Sequence, residues 1–153
     1  MSTIVESVDV EVPVRTAYDQ WTQFEEFPRF MDGVESVKQV DDTHLHWVAQ
    51  IAGVKREWDA EITQQEPDMR IAWRATSGTD NAGAVTFHRL DEGVTRVHLQ
   101  LDVEPEGAVE KVGDAMGLIK RQASSDLERF KELVESQGRA SGAWRGTVEQ
   151  PPT

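Results

Sequence analysis

EGAVEKVGDAMGLIKRQASSDLERFKELVESQ, the stretch from Glu106 to Gln137, decides how this chain folds. Its apolar residues Val109, Val112, Met116, Ile119, Ala123, Leu127, Phe130 and Val134 recur in steps of three and four. That spacing lays a single stripe along an α-helix. The other side carries Glu110, Lys111, Asp114, Arg121, Glu128, Lys131, Glu132 and Glu135, so the stripe faces protein and the charges face water. Such a helix reaches ~45 Å at ~1.5 Å per residue, about the width of a small domain. Only a broad, curved surface covers it, and the residues before it must supply that surface.

They read as strands. Thr3 to Val12 alternates, with Ile4, Val8, Val10 and Val12 on one side and Ser7, Asp9 and Glu11 on the other, the mark of a half-buried strand. Glu6 is the exception on the apolar side. Pro13 ends this strand and suits the start of a helix, along which Val14, Ala17, Trp21 and Phe24 keep helical spacing. WTQFEEFPRFM then crowds Trp21, Phe24, Phe27, Phe30 and Met31 together, and Pro28 is expected to split the helix in two. Beyond Gly33, strands are predicted at Val34 to Val40, His44 to Ile51, Val54 to Glu66, Met69 to Thr76, Ala82 to Leu90 and Val94 to Val103. Their connectors, Asp41-Asp42-Thr43, Ala52-Gly53, Pro67-Asp68, Ser77 to Asn81 and Asp91-Glu92-Gly93, are short enough for antiparallel neighbours. Parity points Leu45, Trp47, Ala49, Trp58, Ala60, Ile62, Ile71, Trp73, Val85, Phe87, Val97, Leu99 and Leu101 toward the long helix. The opposite parity, with His44, His46, Asp59, Glu61, Arg74, His88, Arg96 and His98, is a solvated outer face.

Composition removes several functions. The 153 residues suit one domain, and 16 Lys and Arg against 28 Asp and Glu give a net charge of -12. That field repels phosphate backbones and anionic headgroups, which argues against nucleic acid as a partner. The absence of Cys excludes disulfides, thiolate catalysis and Cys-ligated zinc. MSTIVESVDVEV has neither the basic nor the apolar region of a leader, and no run approaches the roughly 20 apolar residues of a membrane span. A cytoplasmic protein without stable membrane insertion is expected, its oligomeric state left open. Gly138 is a natural helix stop, giving a domain over residues 1–138 and a mobile tail over 139–153. Trp144 and Arg145, within SGAWRG, are unusual for such a tail and are candidates to fold back.

A strand, two short helices, six antiparallel strands and a long C-terminal helix is the order of the helix-grip fold. VPVRTAYDQWTQFEEFPRFMDGVESV resembles the opening of the START-like superfamily that includes polyketide cyclase/dehydrase and coenzyme Q-binding proteins. REWDAEITQQEPDMRIAWRAT, AGAVTFHRL and the closing helix continue the likeness to Gln137, and SGAWRG resembles the tail of a bacterial subgroup without a defined reaction. The resemblance implies an α+β domain whose seven-stranded curved sheet wraps the C-terminal helix around an elongated cavity for an apolar compound. No cofactor is implied.

On that reading the ligand-binding residues are Trp21, Phe24, Phe27, Trp47, Trp58, Ile62, Trp73, Phe87, Leu99 and Leu101, with Val112, Met116 and Ile119 from the helix. Small or flexible Gly113, Ala115, Met116, Gly117 and Ala123 face them, leaving either a hollow or a tightly packed core. Polar residues of inward parity are Glu6, Arg56, Gln64, Arg89 and Thr95. Arg56 either holds a ligand's carboxylate or enolate at the entrance or pairs with a neighbouring acid, and Glu6 is the candidate acid/base. The four His fall on the outer face, where pairing sets His46 near Asp59 and His44 near Glu61, so no metal site is expected. Three functions remain: carriage of a small hydrophobic ligand such as a lipid, quinone or polyketide; a cyclase/dehydrase acting on a bound polyketone through Arg56 and Glu6; or an interaction module working through its acidic surface or the Trp144 tail.

Overall fold

A computed structural model describes residues 2–31, 33–51, 54–78, 81–103 and 112–148. The elements are β1 (Ser2–Val10), α1 (Val14–Trp21), a 3-10 helix (Phe24–Arg29), β2 (Val34–Gln39), β3 (His44–Ile51), β4 (Val54–Glu66), β5 (Arg70–Gly78), β6 (Asn81–Asp91), β7 (Val94–Val103) and α2 (Val112–Gln137). The seven strands form one antiparallel sheet in the order β1-β7-β6-β5-β4-β3-β2. It is the helix-grip architecture. The predicted turn Ala52-Gly53, part of the connector between β5 and β6, and Glu106 to Lys111 lie outside the described residues.

The break after α1 falls elsewhere than expected. Thr22 donates its hydroxyl back to the Asp19 carbonyl at 2.6 Å, a side-chain competitor that closes the helix. The interruption is therefore at Thr22 and Gln23, and Pro28 lies inside the 3-10 helix. The payload of this segment is aromatic. Trp21 packs its ring edge-on against Phe27 at 5.4 Å, Phe87 at 6.4 Å and Phe130 at 5.0 Å, tying α1, the sheet and α2 into one junction.

Strand parity holds for most inward residues, and one exception has a visible cause. A bulge between Ile62 and Gln64 shifts the register of β4 against β5, so Gln65 rather than Gln64 is buried, at 1% exposure. Thr95 is buried and donates to the Val12 carbonyl at 2.9 Å, whereas Arg89 is exposed.

Among the described residues, the packed interior falls into two clusters. Ala123, Leu127, Phe130 and Val134 of α2 join the large one, with the aromatic junction and the middle of the sheet. Ile119 belongs to a smaller one with Ile4 and Val103, against which Met116 and Leu101 pack. Gly138, at φ +68°, stops α2 and donates its N–H to the Val134 carbonyl. The chain then runs back over the domain: Ser141 N–H donates to Gln20 Oε1 at 2.9 Å, Arg145 pairs with Asp19 and Asp68, and Val148 bridges Gln65 of β4.

Candidate ligand-binding cavity

A cavity of about 140 Å³ is lined by Trp21, Trp47 and Leu127 from the larger cluster, by Val103 and Ile119 from the smaller, and by Leu101, which packs against both. Its flat wall is Trp47 stacked on Trp58, cross-strand partners on β3 and β4, 5.7 Å between centroids and 9° between planes. Trp73 owes its place to Gly83 opposite it on β6. A Cβ there would stand 2.5 Å from Trp73 Cζ2, so only glycine lets the indole lie flat across the neighbouring strand.

Of the residues expected to bind ligand, Trp21, Phe27, Trp47, Trp58, Trp73, Leu99, Leu101 and Ile119 line this cavity. Phe24, Ile62 and Phe87 are buried in the large cluster without lining it. Met116 packs on the smaller cluster, and the Val112 side chain lies outside the described residues. Neither acid/base candidate is on the lining. Glu6 does face α2, with Lys120 Nζ 3.5 Å from its Oε1. Arg56 is half-buried on β4 opposite Ala49.

Sequence reasoning missed the polar part of the lining: Gln50, Asn81, Gln122 and Asp126. Gln122 and Asp126 each precede a stripe residue, Ala123 and Leu127, so a stripe defined by apolar residues passes them over although they share its border. Asp126 is 9% exposed and lies 3.4 Å from Arg129 Nη1, one helical turn on. Gln122 is half-buried. A Cβ on Gly33 would be 1.6 Å from Gln122 Nε2, so the amide occupies the space that a side chain at Gly33 would take.

The hydrogen bonding of this wall is incomplete. Trp21 Nε1, Trp47 Nε1 and Trp58 Nε1 are sealed from water and have no acceptor. Around the tail, Arg145 stands over the Tyr18 ring, 5.5 Å from its centroid. Burial pushes the Tyr18 hydroxyl above its ordinary pKa.

On the outer face, His46 makes ring-nitrogen hydrogen bonds to Asp59 Oδ1 and Glu57 Oε1, each 2.7 Å. The bond to Asp59, then that to Glu57, holds its pKa above the usual histidine value. His44 turns to Asp41, 2.8 Å away, rather than to its register partner Glu61. Among the described residues, no group of three or more His, Asp or Glu is arranged to hold a metal ion.

A curled antiparallel sheet gripping one helix around a partly unfilled interior defines a class, and sequence comparison places the chain within it. Residues 10–132 match the family described as polyketide cyclase / dehydrase and lipid transport, and the chain belongs to that family. A 17.2 kDa protein of Streptomyces lincolnensis, described as uncharacterized and encoded between melC2 and rnhH, is 55% identical over 97% of this chain and 99% of its own. Among solved structures, the Zhui aromatase/cyclase of Streptomyces sp. R1128 superposes with a TM-score of 0.74 at 16% identity, over 94% of this chain and 99% of that one. A START superfamily protein from Mycobacterium smegmatis gives 0.67 at 16% identity, over 88% and 95%. At such identities these two share the fold. Among the described residues, no helix is long and apolar enough to cross a membrane.

Proposed function

We propose that this protein is a cytoplasmic carrier that shelters a small, uncharged, hydrophobic or aromatic molecule between the sheet and α2. The observation that carries the reading is the apolar cavity of about 140 Å³, lined by residues of both packed clusters. Its size matches the ~150 Å³ apolar cavity that takes up benzene, so in this conformation it admits about one ring. Affinity comes from burying the guest's apolar surface, at ~25 cal/mol per Å². The family, described by both cyclase/dehydrase activity and lipid transport, supports binding of this general kind.

A second reading, a cyclase acting on a bound polyketone, is favoured by Asp126, an acidic group on the cavity lining, and by the aromatase/cyclase among the structural neighbours. Acid/base work needs a group within hydrogen-bond reach of the substrate, and Asp126 meets the positional half of that requirement. Native mass spectrometry of the purified full-length protein tests the first reading. A copurifying apolar compound is expected, displaced by added aromatic ligand with a change in Trp emission. No copurifying compound and no response to any apolar probe would refute it. Turnover of a polyketone that collapses in Asp126→Asn while folding persists would decide for the second.

A further inference from the structure

We infer that residues 139–148 form a strap that positions the Trp21 wall of the cavity, with Arg145 as its positioning residue, so that docking of the strap and binding of an apolar guest strengthen each other. The inference rests on the carrier reading and adds a point of control outside the cavity. Asp19, Gln20, Trp21 and Thr22 are consecutive at the end of α1. Trp21 lines the cavity and is 1% exposed. The other three are buried polar residues, and the strap engages each of them. Arg145 Nη1 donates to Asp19 Oδ1 at 2.5 Å, the Ser141 N–H to Gln20 Oε1 at 2.9 Å and the Trp144 N–H to the Thr22 hydroxyl at 3.2 Å. Gln20 Nε2 returns a bond to the Ser141 hydroxyl at 3.1 Å. The turn that carries Trp21 therefore cannot shift without breaking these bonds or taking the strap with it.

A second chain of contacts reaches the same ring. The Arg145 guanidinium stands over Tyr18, whose ring packs edge-on against Phe87 at 5.4 Å, and Phe87 packs edge-on against Trp21. Arg145 Nη2 is also 2.8 Å from Asp68, so one side chain ties α1 to the turn between β4 and β5. What lies beneath the strap, Asp19, Gln20, Thr22, Gln65 and Asp68, is polar. A released strap leaves groups that water can satisfy, the condition for an equilibrium that a guest can bias. By linkage, whatever docking adds to guest affinity, the guest adds to docking.

The test uses toluene as the probe and four full-length variants, Arg145→Gln, Arg145→Lys, Asp68→Asn and Arg139→Gln, each checked for folding by near-ultraviolet circular dichroism. Asn suits the left-handed backbone at Asp68, φ +64°, so Asp68→Asn carries the test should Arg145→Gln not fold. Arg139 is exposed on the same segment and controls for the loss of charge. In Arg145→Gln and Asp68→Asn the Trp21 indole ¹H–¹⁵N resonance should shift while that of Trp58 stays. Calorimetric affinity for toluene should fall about tenfold in Arg145→Gln and about threefold in Arg145→Lys, which keeps the charge but not the two-pronged fork. Arg139→Gln should stay within about twofold of wild type. Saturating toluene should slow hydrogen exchange at the Gln65 and Val148 amides of wild type but not of Arg145→Gln. A Trp21 resonance unmoved in both Arg145→Gln and Asp68→Asn would overturn the strap's role, showing that the aromatic junction alone fixes the ring. An Arg139→Gln loss equal to that of Arg145→Gln would overturn it too. Failure of wild type to bind toluene would instead overturn the carrier reading and the coupling, while the Trp21 resonance would still decide whether the strap positions the ring.

Discussion

Replacing Ala123 by Leu separates a cavity kept for a ligand from one that is only loose packing. Ala123 lies on the α2 wall of the cavity and is 4% exposed. Leu nearly matches Ala in helix propensity, so the backbone is close to indifferent to the change. At ~24 cal/mol per Å³, an empty cavity of about 140 Å³ costs roughly 3 kcal/mol against a filled core. Leu adds three carbons, and burying them in vacant space stabilises by up to about 2.4 kcal/mol at ~0.8 kcal/mol each. Imperfect fit reduces this, so a gain of about 1–2 kcal/mol is expected in urea unfolding. The ligand response should move the other way. A guest at a hundred times its Kd stabilises wild type by about 2.7 kcal/mol, a rise in Tm of roughly 5–11 °C at ~2–4 °C per kcal/mol for a domain of this size. In Ala123→Leu that rise should vanish, because the added side chain occupies the space. Destabilisation by about 1–3 kcal/mol, the signature of overpacking, would show that the wall has no room. An undiminished thermal shift would place the guest elsewhere.

Gly83→Ala tests the opposite wall. The new Cβ would meet Trp73 at 2.5 and 2.8 Å, so the indole must move and the variant should lose about 1–3 kcal/mol, with altered Trp73 fluorescence and weaker binding; unchanged stability would show that Trp73 does not need that strand surface. Gly117→Ala should stabilise by about 0.5–1 kcal/mol in thermal unfolding, since a Cβ there meets nothing within 4 Å; a loss would mean that the glycine serves close packing. His46 has its pKa raised in the folded protein by Asp59 and Glu57, so its stabilising effect is complete below the unfolded value of about 6.5 and fades as pH rises through the folded one. His46→Gln should accordingly narrow its deficit against wild type between pH 6 and pH 9 in urea unfolding, and an NMR titration placing His46 at or below 6.5 would contradict this. Gln122→Ala should speed ligand association in stopped-flow fluorescence by several-fold with little change in stability, because the amide filling the space beside Gly33 is removed without touching a buried contact; an unchanged rate would put the entrance elsewhere.

The architecture was legible because its signals are redundant. The limits of β3, β4 and β7 follow directly from alternation bounded by turn residues, as at Asp91-Glu92-Gly93 between β6 and β7. The pairing of His46 with Asp59 follows from register alone. Local departures were not legible. The bulge between Ile62 and Gln64 exchanges Gln64 for Gln65 in the interior, and nothing in ITQQE marks it, since a bulge is decided by how two strands close against each other. The site was half legible. Parity says which indoles face α2 but not where packed side chains leave a gap, so Phe24, Ile62 and Phe87 were grouped with Trp47 and Trp58 although they fill core. Polarity misled in the other direction: Arg56 and Glu6 drew attention as inward charges, while Gln122, Asp126 and Asn81 line the cavity itself.

The two ends of the grip are secured differently, and this bears on how a guest enters. At the end where α1 meets the β4–β5 turn, the returning chain is fixed by backbone hydrogen bonds between Val148 and Gln65 at 2.8 and 2.9 Å. Arg145 adds ion pairs there, to Asp19 at 2.5 Å and to Asp68 at 2.8 Å. Opening that end breaks a backbone pair and uncovers the Trp21 junction. At the other end, Gly33 contributes no side chain, its carbonyl is held by the Gln50 N–H at 2.6 Å, and Gln122 fills the space between α2 and this connection. Rotating one glutamine side chain disturbs none of those backbone bonds and falls within fast side-chain motion. Among the described residues, the easier of these two routes to the cavity therefore runs beside Gln122, past Gln50 and Gly33, toward the stacked indoles.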